Sequence, residues 1–152
     1  MKVKDVMTKA VHSCAAQEPL AKAAAIMWQH DCGCVPIVDE AQKVIGMITD
    51  RDICMATWIQ GKPVHELTAS VPMSKQLWTC RAADDLDAAE RTMRDKKVRR
   101  LPVVDAGMKL VGILSLSDIA RVEQPPAGKP GPGVTDATLR RILKDVSTPR
   151  ET

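Results

Sequence analysis

A direct repeat with a period of 66 residues constrains this sequence more than any other feature. When the sequence is shifted by 66 positions, residues 7–53 align with residues 73–119 without a gap, and 14 of the 47 pairs are identical. Average amino-acid usage would give about three identical pairs by chance. Two segments kept in register over this length are expected to form the same fold twice.

Each repeat has the pattern of a strand, a helix, two further strands and a final helix. Leu20, Ala23, Ala24 and Met27 share one face of a helix, and short apolar runs separated by a polar turn predict a hairpin. The predicted elements of the first repeat are a strand at 11–14, a helix at 19–30, strands at 35–38 and 44–48, and a helix from about Asp50. Those of the second repeat are a strand at 77–80, a helix at 85–96, strands at 101–104 and 110–114, and a helix from about Ser117.

The predicted fold class is therefore α/β, more narrowly α+β, built from two βαββα units. A unit of about 60 residues buries little surface alone, so we expect the two units to pack sheet to sheet with pseudo-two-fold symmetry and a pair of clefts. The predicted domains are residues 1–62 and 63–123, followed by a Pro/Gly linker at 124–134. The tail at 135–152 has an apolar stripe that predicts a short docked helix, although isolated helices of this length are marginal and a frayed tail is the alternative; the stripe consists of Leu139, Ile142, Leu143 and Val146.

The composition narrows the functional classes. With no Phe or Tyr and only three Trp residues, the core must be aliphatic, and an aromatic platform for single-stranded nucleic acid is disfavoured. A net charge of +3 is too mild to indicate a nucleic-acid partner. No apolar stretch approaches the ~20 residues of a membrane span. Five cysteines without a secretory signal pattern predict a reduced, cytoplasmic protein.

Three further segments are informative: residues 5–7, residues 33–39 with their counterpart 99–105, and residues 46–53 with their counterpart 112–119. Through these segments the repeated unit resembles the cystathionine-β-synthase (CBS) domain, and the tandem resembles a Bateman module. The resemblance implies βαββα units paired through their sheets, often in a homodimer of four units. It also implies clefts that bind AMP, ADP, ATP or S-adenosylmethionine and so regulate another protein, whose identity the sequence does not give.

The pattern Gly-x-x-Thr/Ser-x-x-Asp occurs at 46–52 and 112–118 and supplies the main candidate site. Without side chains at the two glycines, a ligand can approach the strand closely. Thr49 and Ser115 can offer hydroxyl groups to a ligand, and the carboxylates of Asp52 and Asp118 can accept two hydrogen bonds from a ribose diol. The alternative is that each hydroxyl and acid simply cap their own helix.

The resemblance also implies the walls of an adenine pocket and a phosphate site. The wall positions are Cys34, Val35, Pro36, Arg100, Leu101 and Pro102. Trp78 could flank a base, while Val35, Leu101 and Trp78 have core packing as their alternative. The candidate phosphate ligands are Arg51, Lys97, Arg99 and Arg100. The second repeat has a basic patch at 96–100, whereas the equivalent segment of the first repeat is nearly neutral. The two clefts are therefore expected to differ in phosphate affinity.

Two other functional classes stay open. His30, Cys32 and Cys34, with Cys14 or His12, could form a metal or redox site, against the alternative that the thiols are small buried hydrophobic groups. A ligand-free dimerisation module is the second. No motif of a nucleophile elbow, a P-loop or a catalytic carboxylate pair is found, so we expect no enzymatic activity and no required cofactor.

Overall fold

The computed structural model describes residues 1–123, so the predicted linker at 124–134 and tail helix at 135–152 lie outside the described residues. The chain divides into two compact units. Of the described residues, the first-repeat unit comprises Val11–Leu77 and Gly107–Leu110, and the second-repeat unit comprises Met1–Ala10, Trp78–Ala106 and residues 111–123. Within residues 1–123, no helix combines the length and the apolar character needed to cross a membrane.

The first-repeat unit is a three-stranded sheet with two helices. Its elements are β1 (Cys14–Ala15), α1 (Leu20–Gln29), β2 (Cys34–Val38), β3 (Val44–Thr49) and α2 (Asp50–Gln60), followed by a short 3-10 helix at Val64–Glu66. The sheet order is β1-β2-β3, with β1 parallel and β3 antiparallel to β2. The register shifts between Ile37 and Val38, where Ile37 faces Gly46 and Val38 faces Val44, so the hairpin carries a β-bulge.

The second-repeat unit has the same order of elements. It begins with a 3-10 helix at Val3–Asp5 and continues with β4 (Cys80–Arg81), α3 (Leu86–Lys96), β5 (Arg100–Val104), β6 (Leu110–Ser115) and α4 (Leu116–Glu123). The sheet order is β4-β5-β6, and β4 runs parallel to β5. The predicted βαββα pattern is thus confirmed in both units.

The first strand of each unit differs most from expectation, and the other predicted bounds agree within about one residue. Strands were predicted at 11–14 and 77–80, but β1 and β4 each have two residues and begin at the last residue of the predicted range. The reason is the pairing partner: only Cys14 and Ala15 face the end of β2, and only Cys80 and Arg81 face the end of β5. An extended apolar segment forms a strand only where a neighbour accepts its hydrogen bonds.

Aliphatic side chains fill the core of each unit, as the composition predicts. Leu20, Ala23 and Met27 on α1 are all buried, which confirms the predicted apolar face. They pack with the strand residues Val35 and Ile48 of the same unit. In the second-repeat unit the fully buried side chains come from every element except β4: Val3, Leu86, Met93, Leu101, Val103, Leu114 and Ile119.

Each unit is completed by the segment that precedes the other repeat. In the second-repeat unit, Thr8 and Ile113 exchange two backbone hydrogen bonds of 2.9 Å. In the first-repeat unit, the backbone N–H of Ser74 donates to the carbonyl of Met47 over 2.9 Å. Because Thr8 and Ser74 are 66 positions apart, as are Met47 and Ile113, the two bridges are equivalent. Residues 1–10 and about 67–77 therefore serve as exchanged segments, each covering the edge of a sheet from the other repeat.

Candidate functional site

Thr49 and Asp52 are joined at the start of α2. The Thr49 hydroxyl donates to Asp52 Oδ2 over 2.7 Å, and the Thr49 backbone N–H donates to the same oxygen over 2.8 Å. In return, the Asp52 backbone N–H donates to Thr49 Oγ1 over 3.2 Å. This reciprocal arrangement is a capping box, which satisfies two backbone donors at the helix start.

Ser115 and Asp118 repeat this geometry at the start of α4. The Ser115 hydroxyl and backbone N–H donate to Asp118 Oδ2 over 2.6 and 2.8 Å, and the Asp118 N–H donates to Ser115 Oγ over 3.2 Å. The capping interpretation of both motifs therefore describes real contacts. The capping contacts involve only one carboxylate oxygen of each acid, Oδ2. They do not determine which groups bind the other oxygen, Oδ1.

The second carboxylate oxygen distinguishes the two repeats. Asp118 Oδ1 accepts a hydrogen bond from the Thr8 hydroxyl over 3.3 Å and one from Arg121 Nη1 over 3.1 Å, and only 7% of Asp118 is exposed. Among residues 1–123, no hydrogen bond or ion pair reaches Asp52 Oδ1, and Asp52 is only half-buried. The acid of the first repeat is therefore open to a ligand, whereas the acid of the second is engaged.

Asp52 lines a shallow groove of about 230 Å³ within the first-repeat unit. The rest of the lining is mostly apolar and combines one face of α2 with the exchanged segment; it consists of Met55, Ala56, Ile59, Gln60, Val71 and Pro72. Met55, Ile59 and Val71 are exposed to 40, 65 and 46%. A single carboxylate at the end of an aliphatic groove is suited to a ligand with one apolar surface and one pair of hydrogen-bond donors.

The two glycines of the motif have a different role from the one predicted. A Cβ on Gly112 would lie 2.7 Å from Met7 Sδ and 3.0 Å from the Thr8 carbonyl oxygen, and a Cβ on Gly46 would lie 2.9 Å from the Ser74 carbonyl oxygen. The expectation that the glycines admit a ligand is therefore wrong. The space above them is filled by the exchanged segments, which must come this close to form their backbone bridges.

The predicted adenine-wall residues lie in the central strands. Val35 on β2 and Leu101 on β5 are 0% exposed and belong to the hydrophobic cores of their units. Their neighbours Cys34, Pro36 and Pro102 are also buried, while Arg100 at the start of β5 is half-buried. The positions of Val35 and Leu101 agree with the alternative, which is core packing. Ligand contacts at the wall positions stay predictions.

The predicted phosphate ligands belong to two different units. Arg51 is the exposed second residue of α2, whereas Arg99 and Arg100 lie just before and at the start of β5. Within the described part of the chain, none of these three guanidinium groups has an ion pair. Lys97 ends α3 in the left-handed conformation, with φ of 52°. The cations are thus available to an anion, and a phosphate role for them stays a prediction.

Trp78 packs within its own unit. Its ring is half-buried against the core of the second-repeat unit, and the Lys96 ammonium group lies 4.2 Å from the ring centroid. This is a cation–π contact. The packing alternative given for Trp78 therefore describes its position, with Lys96 covering one face of the ring.

The candidate metal ligands form an incomplete set. The His12 and His30 rings stack with centroids 3.5 Å apart, so the structure does bring these two predicted partners together. Cys32 is half-buried and Cys34 is buried in β2. Among residues 1–123, no group of three or more His, Cys, Asp or Glu side chains is placed to share a metal ion.

Burial suppresses the reactivity of the two repeat-equivalent cysteines. Desolvation raises the pKa of Cys14 to about 11 and that of Cys80 to about 12, from an ordinary value of 9.0. Since the thiolate is the reactive form, both thiols are protonated and inert near neutral pH.

We expect iodoacetamide at pH 8 to modify exposed Cys54 at least ~100-fold faster than Cys14 or Cys80, as followed by peptide mass spectrometry. A pKa raised by two units alone lowers the thiolate fraction about 100-fold. In guanidinium chloride all three should react at similar rates. Native Cys80 reacting as fast as Cys54 would contradict the burial of β4.

Sequence reasoning missed two residues of the site, Thr8 and Arg121. Their signal is a departure from the repeat: the counterpart of Arg121 is Met55, which cannot donate a hydrogen bond, and the counterpart of Thr8 is Ser74, whose hydroxyl donates to the Gln76 carbonyl instead. Also unforeseen was a second hollow of about 280 Å³ between α1 and α2; it is lined by Ala24, Met27, Trp28, Cys32, Asp50 and Ile53.

Comparison with known proteins agrees with this architecture. The CBS domain family model matches twice, at residues 3–58 and 64–124. The CBS domain-containing protein YhcV of Bacillus subtilis is 35% identical over 140 residues, which cover 92% of this chain and 97% of that protein. The fold and the paired motifs thus define a tandem of CBS domains, and the chain belongs to the CBS-domain family.

Two solved structures show what related pairs contain. The crystal structure of Hypoxic Response Protein I with two coordinated zinc ions has a TM-score of 0.72 at 31% identity, and the match covers 80% of this chain and 98% of that one. The CBS domain pair of protein MJ0100 in complex with 5′-methylthioadenosine and S-adenosyl-L-methionine has a TM-score of 0.71 at 30% identity, covering 80% and 94%.

Proposed function

We propose that this chain is a non-catalytic regulatory module that binds an adenosine compound and controls a partner protein. The observation that carries the proposal is the carboxylate of Asp52, which lines a mostly aliphatic groove and whose Oδ1 accepts no hydrogen bond from residues 1–123. The ligands in the MJ0100 pair, which both contain adenosine, support the same class of compound.

The chemistry of recognition follows from the groove. The open oxygen of Asp52 accepts a hydrogen bond from a ribose hydroxyl, and a bond to a charged acceptor is about twice as strong as a neutral one. The capping box holds Oδ2 in place, so the carboxylate is already oriented before ligand arrives. The purine lies against aliphatic side chains such as Ile59 and Val71, since none of the described residues that line the groove is aromatic.

In this proposal the ligand regulates the chain by stabilising the conformation that binds it. A ligand at 100 times its dissociation constant stabilises the state that binds it by about 2.7 kcal/mol. The groove joins α2 to the exchanged segment at Val71 and Pro72, so a ligand there holds these two parts together. A partner protein that contacts α2 or the exchanged segment would therefore respond to the ligand. The homodimer and the identity of the partner stay predictions.

We expect AMP, ATP, S-adenosylmethionine or 5′-methylthioadenosine to raise the melting temperature by several degrees in a thermal-shift assay, because a ligand that binds only the folded chain stabilises it. Replacing Asp52 with asparagine should weaken binding of the active compound at least tenfold in isothermal titration calorimetry, since the charged acceptor is lost.

The matched control is Asp50→Asn. Asp50 is an exposed acid in the first turn of the same helix, its Oδ1 accepts from the Arg51 N–H, and it is absent from the Asp52 groove. It should leave the affinity within about twofold. If no adenosine compound shifts the melting temperature, the ligand-free dimerisation module is the better description of this chain.

A further inference from the structure

The two acids of the repeated motif differ in what holds them, and this difference has a consequence for the number of ligands. Asp118 is bonded on both oxygens: Ser115 caps Oδ2, and Thr8 and Arg121 bind Oδ1. Asp52 is bonded on one oxygen only within residues 1–123. We propose that Thr8 and Arg121 close the acid of the second repeat, so that each chain binds one adenosine ligand, at Asp52. This inference rests on the proposed function.

The closure depends on Thr8 as well as on the ion pair with Arg121. Arg121 is 75% exposed, so its guanidinium group stays in contact with water and a ligand could displace it. Asp118, however, is only 7% exposed, and Thr8 approaches it from the exchanged segment, which is fixed on β6 by two backbone hydrogen bonds to Ile113. A ribose hydroxyl must therefore displace the fixed Thr8 hydroxyl as well as Arg121.

Two substitutions between the repeats explain the difference. Arg121 lies three residues after Asp118, and Met55 lies three residues after Asp52. Arginine at this position reaches the acid, whereas methionine at the same position lines the groove instead. Ser74, at the position of Thr8, directs its hydroxyl to the Gln76 carbonyl over 3.0 Å and so leaves Asp52 alone.

The test is the binding stoichiometry per chain, measured by calorimetry on the full chain with AMP, ATP, S-adenosylmethionine and 5′-methylthioadenosine. We expect about one equivalent for the natural protein and about two for Thr8→Val/Arg121→Met, in which the second acid has lost both donors to Oδ1. The control Thr8→Ser/Arg121→Lys keeps a hydroxyl and a cation and should bind one equivalent. Thr8 and Arg121 are both exposed, and circular dichroism would verify folding of each variant.

A reciprocal variant tests the same idea by blocking the Asp52 site instead of freeing Asp118. Met55→Arg places a guanidinium group within reach of Asp52 and across the groove, and it should weaken binding at least tenfold. Two equivalents in the natural protein, or one in Thr8→Val/Arg121→Met, would overturn the closure while the proposed function stands. If none of the four compounds binds any of these proteins, the proposed function fails and the inference fails with it.

One measurement needs no ligand. If the closure exists, Asp118→Asn removes a charge that Thr8 and Arg121 stabilise, and it should lower the melting temperature more than Asp52→Asn does. Equal shifts for the two variants would mean that Thr8 and Arg121 do not hold Asp118 in solution, and the closure would be abandoned.

Discussion

Replacing Val3 with aspartate is expected to lower the free energy of unfolding by about 4 kcal/mol, because it places a charge where no water reaches. Val3 is 0% exposed and packs in the core of the second-repeat unit, and its N–H donates to the Asp84 carbonyl over 3.0 Å. To hydrate the new carboxylate, the exchanged segment must leave the core. Urea unfolding followed by circular dichroism would give the change.

The matched control for this variant is Ala10→Asp. Ala10 lies in the same segment and is exposed, and the change adds the same charge. It should alter stability by less than about 0.5 kcal/mol. If both variants were equally stable, residues 1–10 would not be part of the second-repeat unit in solution.

Replacing Leu101 with alanine should cost about 3 kcal/mol of unfolding free energy. Leu101 is fully buried on β5 and packs with the core residues of its unit, and deleting a buried leucine side chain typically costs 2–5 kcal/mol from lost transfer energy and the cavity left behind. The same urea titration measures it. Val111→Ala, at a 38% exposed position on β6, is the comparison and should cost less than about 1 kcal/mol.

This variant also separates the two interpretations of the strand segment. If Leu101 is a core residue, the variant protein loses stability and its ligand affinity at Asp52 changes little. If Leu101 forms the wall of a binding pocket, the variant protein loses ligand affinity and keeps most of its stability. A Leu101→Ala chain that remained as stable as the natural one would therefore rule out the packing described for β5.

The local elements of this fold were predictable because their signals are local. The spacing of Leu20, Ala23 and Met27 gave the buried face of α1, and the predicted helix at 85–96 differs from α3 by one residue at its start. Thr49 and Ser115 were placed at the starts of helices, where a hydroxyl followed by an acid three positions later forms a capping box.

Contacts between residues far apart in the sequence were not predictable in the same way. The pairing of Thr8 with Ile113 spans more than 100 residues, and no periodicity in either segment indicates it. Gly112 was interpreted as a gap for a ligand because its occupant, Met7, belongs to the exchanged segment. Arg121 drew no attention because its partner Asp118 was judged by the motif, which is the same in both repeats, while Arg121 and Met55 differ.

The exchanged segments mean that the unit of duplication and the unit of folding are offset by about ten residues. A chain containing a single repeat would hold its own sheet and helices, yet the segment covering the edge of that sheet would have to come from a second molecule. Val3 would then enter the core of a neighbour, as it enters the second-repeat unit now. One repeat expressed alone is therefore expected to associate with a second copy, and size-exclusion chromatography would detect that pair.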